Sequence, residues 1–492
     1  MAGGGPVGLL YALTLWSLFG PRIDVRVYDG RWKRENGRTR WKGLAEGNNR
    51  RRQVVTLQSL QYSKLPQIVR EALFESKVQT SQMWPATAAS PAELGPPINI
   101  RISDIEDVLL DLAGKVGIRL RPERFSPEVL ERENCDLLAI CDGAASRTRE
   151  HYIEHFGAPN TRAFAVGDEP LEDVVLGLYI KSKIPEPTSV LLTIAQNRFL
   201  LNSMEGQGYL NMRLTPSEAA RAFGINFERG NVANCVQSRP CFLSRTVLEG
   251  GKATYQCPTH RTVFAPQIDP HSPLWPRILD GLALYGASEE DLEGITAFRL
   301  SMVERPRFTA EIIPRTARRS PTYACLLGDA ANAIHFWPGR GLNSGIASAI
   351  ALARCTHRQW NGRHFRDADF SRFEAFMAML QYRQKRRAWR AMVQVDAEGK
   401  SVPIQDVIEK SHASPVPRKQ AIRTLLERIE GAKRRLEGRL NPLPTAEEVT
   451  RQLERLSSAS LVELAASGAW DTRQMGGEEV DLDLILPPPE RA

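Results

Sequence analysis

Residues 325–353 constrain this chain more than any other stretch. They run Cys-Leu-Leu-Gly-Asp-Ala-Ala, continue through a segment holding Pro338, Gly339, Gly341 and Gly345, and end in the alanine-rich run 346–353. The apolar run closing on Gly328-Asp329 predicts a buried strand, the glycines a loop and the alanines a helix. An acid at a strand's C-terminal end accepts hydrogen bonds from sugar-type hydroxyls. The glycines let backbone N–H groups and a positive helix N-terminus approach an electron-rich ligand. An ordinary strand–loop–helix connection reads the same way, so the stretch gains meaning only beside others.

The N-terminus supplies a second. Gly3-Gly4-Gly5-Pro6-Val7-Gly8 is a G-x-G-x-x-G opening an apolar helix (Leu9, Leu10, Ala12, Leu13, Leu15), and the alternating run 23–28 follows, closed by Asp29. An acid about 20 residues past the last glycine is where a Rossmann unit places a carboxylate on a ribose. A third stretch, 135–149, is an apolar strand ending in Asp142-Gly143, with Arg147 and Arg149 beyond it. Only Met1 and Ala2 precede the first glycine, where a Rossmann unit enters from a buried strand of about five to six residues. The expectation is a truncated or misassigned start, or a lost central strand with weakened cofactor binding.

In this order the three motifs resemble those of the group A (aromatic-hydroxylase-type) FAD-dependent monooxygenases, over roughly residues 1–390. The resemblance implies an α/β fold: a Rossmann-type FAD-binding domain with an inserted β-sheet substrate domain, followed here by a helical C-terminal extension. The corresponding bounds are 1–163 and 310–390 for the two parts of the FAD domain, 164–309 for the sheet and 391–492 for the extension. It also implies FAD as cofactor and NADPH or NADH as a visiting co-substrate without a domain of its own. Consistently, no second G-x-G-x-x-G opens a helix.

Carried over residue by residue, the resemblance places Gly3, Gly5, Gly8 and Asp29 at the adenosine and pyrophosphate, and Asp142 and Gly143 at the middle turn. Gly328 and Asp329 fall at the ribityl chain, Pro338 beside the flavin, and Gly341, Asn343 and Gly345 at its pyrimidine end. Arg52, with Arg51 as second choice, falls near the flavin phosphates or ring. Departures are Asn332 for the usual His, Ser348 for the usual Asp, and Ile102, beside Arg101, at the start of the helix 102–113, where many members have a polar cofactor contact. In that helix Ser103 and Glu106 form a capping-box pattern. Phe336-Trp337-Pro338 followed by Gly-x-Gly is similar to the MICAL monooxygenases and to enzymes that oxidise amino-acid nitrogen.

The activity implied is transfer of one oxygen atom from O₂ to a nucleophilic carbon, nitrogen or sulfur of a small molecule, in specialised metabolism; no catalytic residue is singled out. N-hydroxylation of an amino acid (acidic if the arginines face the pocket) competes with ring hydroxylation. Arg305, Arg307 and Phe308 are candidates to position a carboxylate, and Arg147 and Arg149 to meet a nicotinamide-cofactor phosphate. The alternatives are a non-oxygenating flavoprotein, a halogenase, whose W-x-W-x-I-P motif is absent, and an FAD-deficient homologue that only binds.

A chain of 492 residues with 42% apolar and 25% charged residues is globular, with two or three domains. No apolar run approaches the roughly 18–20 residues of a membrane span, and the run 7–19 lacks the basic flank and cleavage pattern of a signal peptide. Seven irregularly spaced cysteines predict reduced thiols and a cytoplasmic location. Cys257 and His260 form a lone C-x-x-H with no second pair, so no metal is expected. The net charge of +8 is dispersed, with local excesses at 50–52, 383–390 and 418–439. Without a nucleic-acid module or aromatic groove beside these runs, nucleic acid is not an expected partner. The charge draws in anionic dinucleotides or an anionic substrate, or solvates helices.

Between 164 and 309 the runs 174–180, 190–194, 209–214 and, more weakly, 253–255 read as strands. Later, Ile422, Leu425, Leu426, Ile429, Leu436 and Leu440 recur at helical spacing, followed by a second helix through Val449, Leu453, Leu456, Leu461 and Leu464. These helices pack on the core or on another subunit of an oligomer. Residues 86–97 predict a surface loop and 476–492 a frayed tail.

Overall fold

The computed structural model describes residues 1–75, 81–82, 98–232, 235–237, 241–247, 253–333, 340–360, 363–413, 416–436, 442–470 and 482–489. The loop expected at 86–97, the Phe336-Trp337-Pro338 triplet and part of the C-terminal tail lie outside the described residues.

The helix Pro6–Phe19 is apolar on every side, and Leu9, Leu10, Tyr11, Ala12, Leu13 and Leu15 are all buried. Such a helix must be enclosed, and here it packs against the helices Ile102–Lys115 and Arg340–Gln359. The sheet beside it runs Arg119–Arg121, Arg26–Tyr28, Ala2, Leu137–Ile140, Thr322–Leu326, Thr309–Ile313; every neighbour is parallel except the last, which is antiparallel. The central place expected to lack a strand is filled by the first three residues. Ala2 donates to Ala139 O at 2.9 Å and accepts from Cys141 N–H at 2.7 Å, while Gly3 N–H reaches Tyr28 O at 2.9 Å. Tyr28 N–H in turn reaches Met1 O at 3.0 Å.

The second core lies against a nine-stranded sheet. Its order is Phe199–Met204, Gln207–Arg213, Glu172–Lys181, Leu292–Ser301, Leu243–Val247, Ala253–Gln256, Val263–Phe264, Gly224–Asn226, Gly230–Val232, and its pairings are antiparallel. Alternation sorts the faces. Val174, Leu176, Leu178 and Ile180 enter this core with Leu210 and Met212, so Gly177, Tyr179, Tyr209 and Asn211 point the other way. The strand expected at 190–194 is instead part of the helix Glu186–Ile194. Pro187 falls in its first turn, where a missing N–H costs nothing.

The C-terminal helices Arg418–Leu436, Ala446–Leu453 and Ser458–Ala466 bury Leu425, Ile429, Val449, Leu453, Leu461 and Leu464 in the same core. The second expected helix is thus two, because Ser457 caps a new one by accepting from Ser460 N–H. The tail is not wholly frayed. The helix Leu482–Ile485 returns to the first core, with Leu482 and Leu486 buried and Asp483 paired to Arg354 at 2.6 Å and Lys64 at 3.0 Å. The helix Ile102–Lys115 starts at Ile102 without a side-chain cap, so the box expected from Ser103 and Glu106 does not form. No helix among the described residues is long and apolar enough to cross a membrane.

Candidate functional site

A cavity of about 1400 Å³ opens where the N-terminal loop, the Asp142-Gly143 turn and the late Gly-Asp segment meet the large sheet. Ligand pockets typically measure about 300–1,000 Å³, so there is room for a dinucleotide and a second small molecule. The first sheet's side carries Gly3, Gly5, Asp29, Asp142, Gly143, Gly328, Asp329 and Gly341, with Arg31, Lys42, Arg51 and Arg147 also in the lining. The large sheet contributes Tyr179, Asn202, Tyr209, Asn211, Thr296 and Phe298.

Backbone crowding explains the glycines. Gly3 has φ +98°, and a Cβ there would meet Cys141 O at 2.6 Å; one on Gly8 would lie 2.1 Å from Gly3 O. Cβ atoms on Gly345 and Gly328 would meet Val7 Cγ2 at 2.4 and 3.1 Å, so the first helix seats directly on the late segment. That helix begins at Pro6 with no side-chain cap and no acid in its first turn, which leaves its positive end uncompensated. Guanidinium nitrogens of Arg31 and Arg51 each lie 3.3 Å from the Cβ position of Gly5. Backbone N–H groups, a helix N-terminus and two cations make an anion cradle of pyrophosphate type.

The three strand-end acids differ in what they already hold. Asp29 accepts from Gly4 N–H (2.9 Å), Arg31 N–H (2.9 Å), Arg31 Nε (3.0 Å) and Arg31 Nη2 (2.6 Å). Those four contacts fill the roughly four acceptor positions of a carboxylate. Burial pushes its pKa up, but the bonds to Arg31 outweigh this and hold it below the ordinary value. A ribose hydroxyl therefore binds Asp29 only by replacing an Arg31 contact. Asp142 accepts from Ser146 Oγ, Thr148 Oγ1 (2.8 Å) and Thr148 N–H (3.3 Å), capping the helix Arg147–His151. Gly143, at φ +94°, turns the chain beside it.

Asp329 is the exception: its carboxylate makes no hydrogen bond or ion pair among the described residues. Burial raises its pKa, with Arg51 and Lys385 opposing. Lys385 is buried and donates to Ala333 O; burial and Arg305 lower its pKa to about 8, against the pull of Asp329. The sequence offered a signal for it. In the helix Ser371–Met392, Lys385 lies on the buried face with Phe373, Met377, Leu380, Gln381, Gln384 and Ala388, at helical spacing.

Other expected residues move. Arg51, not Arg52, lines the cavity; Arg52 is exposed and outside the lining, since successive side chains in extended backbone point opposite ways. Arg51 also pairs with Glu106 at 3.0 Å. Arg149 donates to Ala330 O and Ala144 O, both at 3.0 Å, and pairs with Glu150 at 2.7 Å. It staples the middle turn to the late segment and is absent from the cavity lining, whereas Arg147 does line the cavity. Asn343 is spent on the strand Val54–Leu57 and its exit: its Oδ1 accepts from Gln58 N–H at 2.9 Å and its Nδ2 donates to Thr56 O at 2.7 Å. Pro338 lies outside the described residues. Arg305, Arg307 and Phe308 are absent from the lining, and Phe308 is core. At Ser348, Oγ accepts from Gly328 N–H (3.2 Å) and donates to Gly345 O (2.7 Å), holding the turn.

The large sheet makes the cavity's uncharged wall. The position of Gly177 is filled by the Tyr209 ring, whose hydroxyl lies 1.9 Å from where a Cβ would be, and that of Gly294 by Phe242, at 2.2 Å. Tyr179 packs edge-on against both, with centroids 4.8 Å from Tyr209 and 4.9 Å from Phe242. Burial raises both tyrosine pKa values, so the phenols stay neutral. Asn211 Oδ1 is buried without a partner. None of these wall residues was foreseen individually.

No family model and no curated protein matches the sequence. Among solved structures the chain is similar to CmlS, a flavin-dependent halogenase, with TM-score 0.50 and 14% identity over 92% of this chain and 76% of that one. The two share a fold. Further matches are the Diels-Alderase PyrE3 (TM-score 0.44, 14% identity, 93% and 80% covered) and 2-methyl-3-hydroxypyridine-5-carboxylic acid oxygenase (TM-score 0.44, 13% identity, 79% and 90% covered). The architecture is α/β: a Rossmann-type domain, a large antiparallel sheet packed against it and a helical extension.

The residues present fit a dinucleotide. The cradle at Gly3, Gly5 and Gly8 suits a pyrophosphate, and the unpartnered Asp329 carboxylate suits hydroxyl donors beyond it. Asp29 is saturated, and a ligand hydroxyl would have to replace an Arg31 contact there.

Proposed function

We propose that the chain is an FAD-dependent monooxygenase acting on a neutral, aromatic small molecule, with NADPH or NADH as reductant. The observation that carries this reading is the Asp329 carboxylate, unpartnered among the described residues and set in the same cavity as the N-terminal glycine cradle. A half-buried carboxylate that faces the cavity gains from donors brought into it, and ribityl hydroxyls would supply them.

Bound FAD supplies hydride acceptance and activation of O₂. The chain's own part is placement. Gly3, Gly5 and Gly8, with Arg31 and Arg51, hold the pyrophosphate, and Asp329 accepts from the ribityl chain. The backbone of Gly341 and Leu342 lines the cavity at the start of the helix Arg340–Gln359, where it would face the ring. Lys42 and Arg147 favour approach of an anionic nicotinamide dinucleotide. Tyr179, Tyr209 and Phe242 exclude water and offer aromatic faces to the substrate, and Asn211 Oδ1 accepts from a substrate hydroxyl. Their uncharged character supports ring hydroxylation over oxidation of an amino-acid nitrogen, because the arginines expected to receive a carboxylate lie outside the lining.

The test is direct. Purified full-length protein is expected to show a flavin spectrum and to release FAD on denaturation. It is expected to consume NADPH or NADH in the presence of phenols but not of acidic amino acids, with a hydroxylated product gaining one oxygen by mass. A colourless protein that takes up no added FAD refutes the reading.

A further inference from the structure

Away from the cofactor cradle, the fold gathers four metal-binding side chains that the sequence scatters. Cys257 and His260 sit in the tight turn between the strands Ala253–Gln256 and Val263–Phe264, and Cys235 and Cys241 arrive from upstream. We propose that Cys235, Cys241, Cys257 and His260 bind one Zn²⁺ as a structural site that braces the large-sheet wall of the cavity.

The spacing suits a tetrahedral ion. The three sulfurs and the imidazole nitrogen all lie within 4.8 Å of one another. His260 Nδ1 is 3.6 Å from Cys235 Sγ, 3.3 Å from Cys241 Sγ and 3.4 Å from Cys257 Sγ. Zinc bonds of about 2.3 Å to sulfur and 2.0–2.1 Å to nitrogen give sulfur–nitrogen edges of about 3.5 Å in a regular tetrahedron. No disulfide joins these cysteines. Their surroundings suit thiolates: Thr262 Oγ1 donates to Cys235 Sγ at 2.7 Å, and His260 N–H to Cys257 Sγ at 3.5 Å. The turn is preset, with Cys257 N–H on Thr262 O (2.8 Å), Arg261 N–H on Cys257 O (2.9 Å) and Arg261 at φ +54°. Cys241 N–H on Cys235 O at 2.8 Å closes the other loop.

Three thiols release three protons to solvent on binding, and the neutral imidazole completes the shell. Four protein ligands leave no open position, which marks a structural rather than a catalytic metal. Cys241, Phe242, Cys257, Pro258 and Thr259 line the cavity, so the ion would fix the loop carrying Phe242. This inference does not rest on the cofactor reading.

The experiment uses untagged full-length protein. Elemental analysis is expected to give one zinc per chain, and exchange into Co²⁺ to give the intense red-region bands of a tetrahedral thiolate site. Cys241→Ser and His260→Ala are expected to lose most of the metal, while Cys135→Ser retains it. Should the two site variants not fold, titration of the wild type with a thiol-blocking reagent provides the second measurement, with one zinc expected to be released per chain. No zinc and no cobalt bound by the wild type, a disulfide among these cysteines, or full metal retained in both site variants overturns the proposal. Flavin content measured on the same samples separates this outcome from failure of the cofactor reading.

Discussion

Replacing Asp329 by Ala separates the cost of an unpartnered carboxylate from its use. A hydrogen bond to a charged group contributes about 1.5–3 kcal/mol. At about 1.4 kcal/mol per factor of ten, its loss weakens FAD binding by about 10- to 140-fold. The apo-protein responds with the opposite sign. Burial holds the folded carboxyl above 3.8, so the folded chain keeps a proton that the unfolded chain has lost. Wild-type stability relative to Asp329→Asn therefore falls as pH rises from 3.8 through the raised folded value and is level above it. Near neutral pH the variants are therefore expected to be more stable than wild type. Flavin fluorescence titration gives the affinities, and urea denaturation of the apo-proteins between acidic and neutral pH gives the stabilities. FAD affinity unchanged within the error of the titration, or apo-variants less stable than wild type at neutral pH, refutes the assignment.

Gly8→Ala pushes a methyl to 2.1 Å from Gly3 O, a backbone atom that cannot move aside. A stability loss of about 1–3 kcal/mol or more, with loss of flavin uptake, is expected by thermal denaturation and absorbance. Arg51→Ala is expected to weaken FAD binding about fivefold, the effect of a partly exposed charge contact of about 1 kcal/mol, and Arg52→Ala to leave it unchanged; the reverse order in a titration would return the role to Arg52. Lys385→Met addresses a buried base lowered from 10.5 to about 8, a drop corresponding to about 3 kcal/mol. Below pH 8 folded and unfolded chains are both protonated and the fold carries the burial cost. Between 8 and 10.5 only the unfolded chain keeps the proton, so wild-type stability rises with pH. The Met variant is expected to be more stable at pH 7, less whatever the bond to Ala333 contributes, and to lose that advantage by pH 10.5; parallel pH–stability curves would contradict this.

Features written in local chemistry were legible in the sequence. Gly3 and Gly8 must be glycine because backbone lies where a side chain would go, and the apolar run 174–180 marked a strand, though being apolar throughout it did not say which face is core. What failed depends on partners distant in the chain or on single-residue phase. The run 190–194 is short and apolar, which strand and buried helix share, and Pro187 decided for helix. Arg51 and Arg52 differ only in the direction each faces. Cys235 and Cys241 have no recognisable ligand spacing to Cys257 and His260, and only the sheet's antiparallel return brings them together. The tail's Leu482 and Leu486 dock on the first core from a short apolar run, 480–486, broken by Asp481 and Asp483 and followed by three prolines, which reads locally as a frayed end.

On the proposed reading, the three strand-end acids differ in what each would contribute to dinucleotide affinity. At Asp29 a ligand hydroxyl would exchange for an Arg31 nitrogen already 2.6–3.0 Å away, and exchanging one bond for another changes the free energy little. At Asp142 the acceptors are taken by the Ser146 and Thr148 hydroxyls and Thr148 N–H at the start of the helix Arg147–His151, so binding there would expose donors elsewhere. Asp329 alone gains a partner without giving one up. The N-terminal motif therefore contributes shape and positive charge, and the late motif the favourable new bonds. This division explains why Val7 is wedged between Gly328 and Gly345: the element that positions the ligand and the element that rewards it must be rigidly joined.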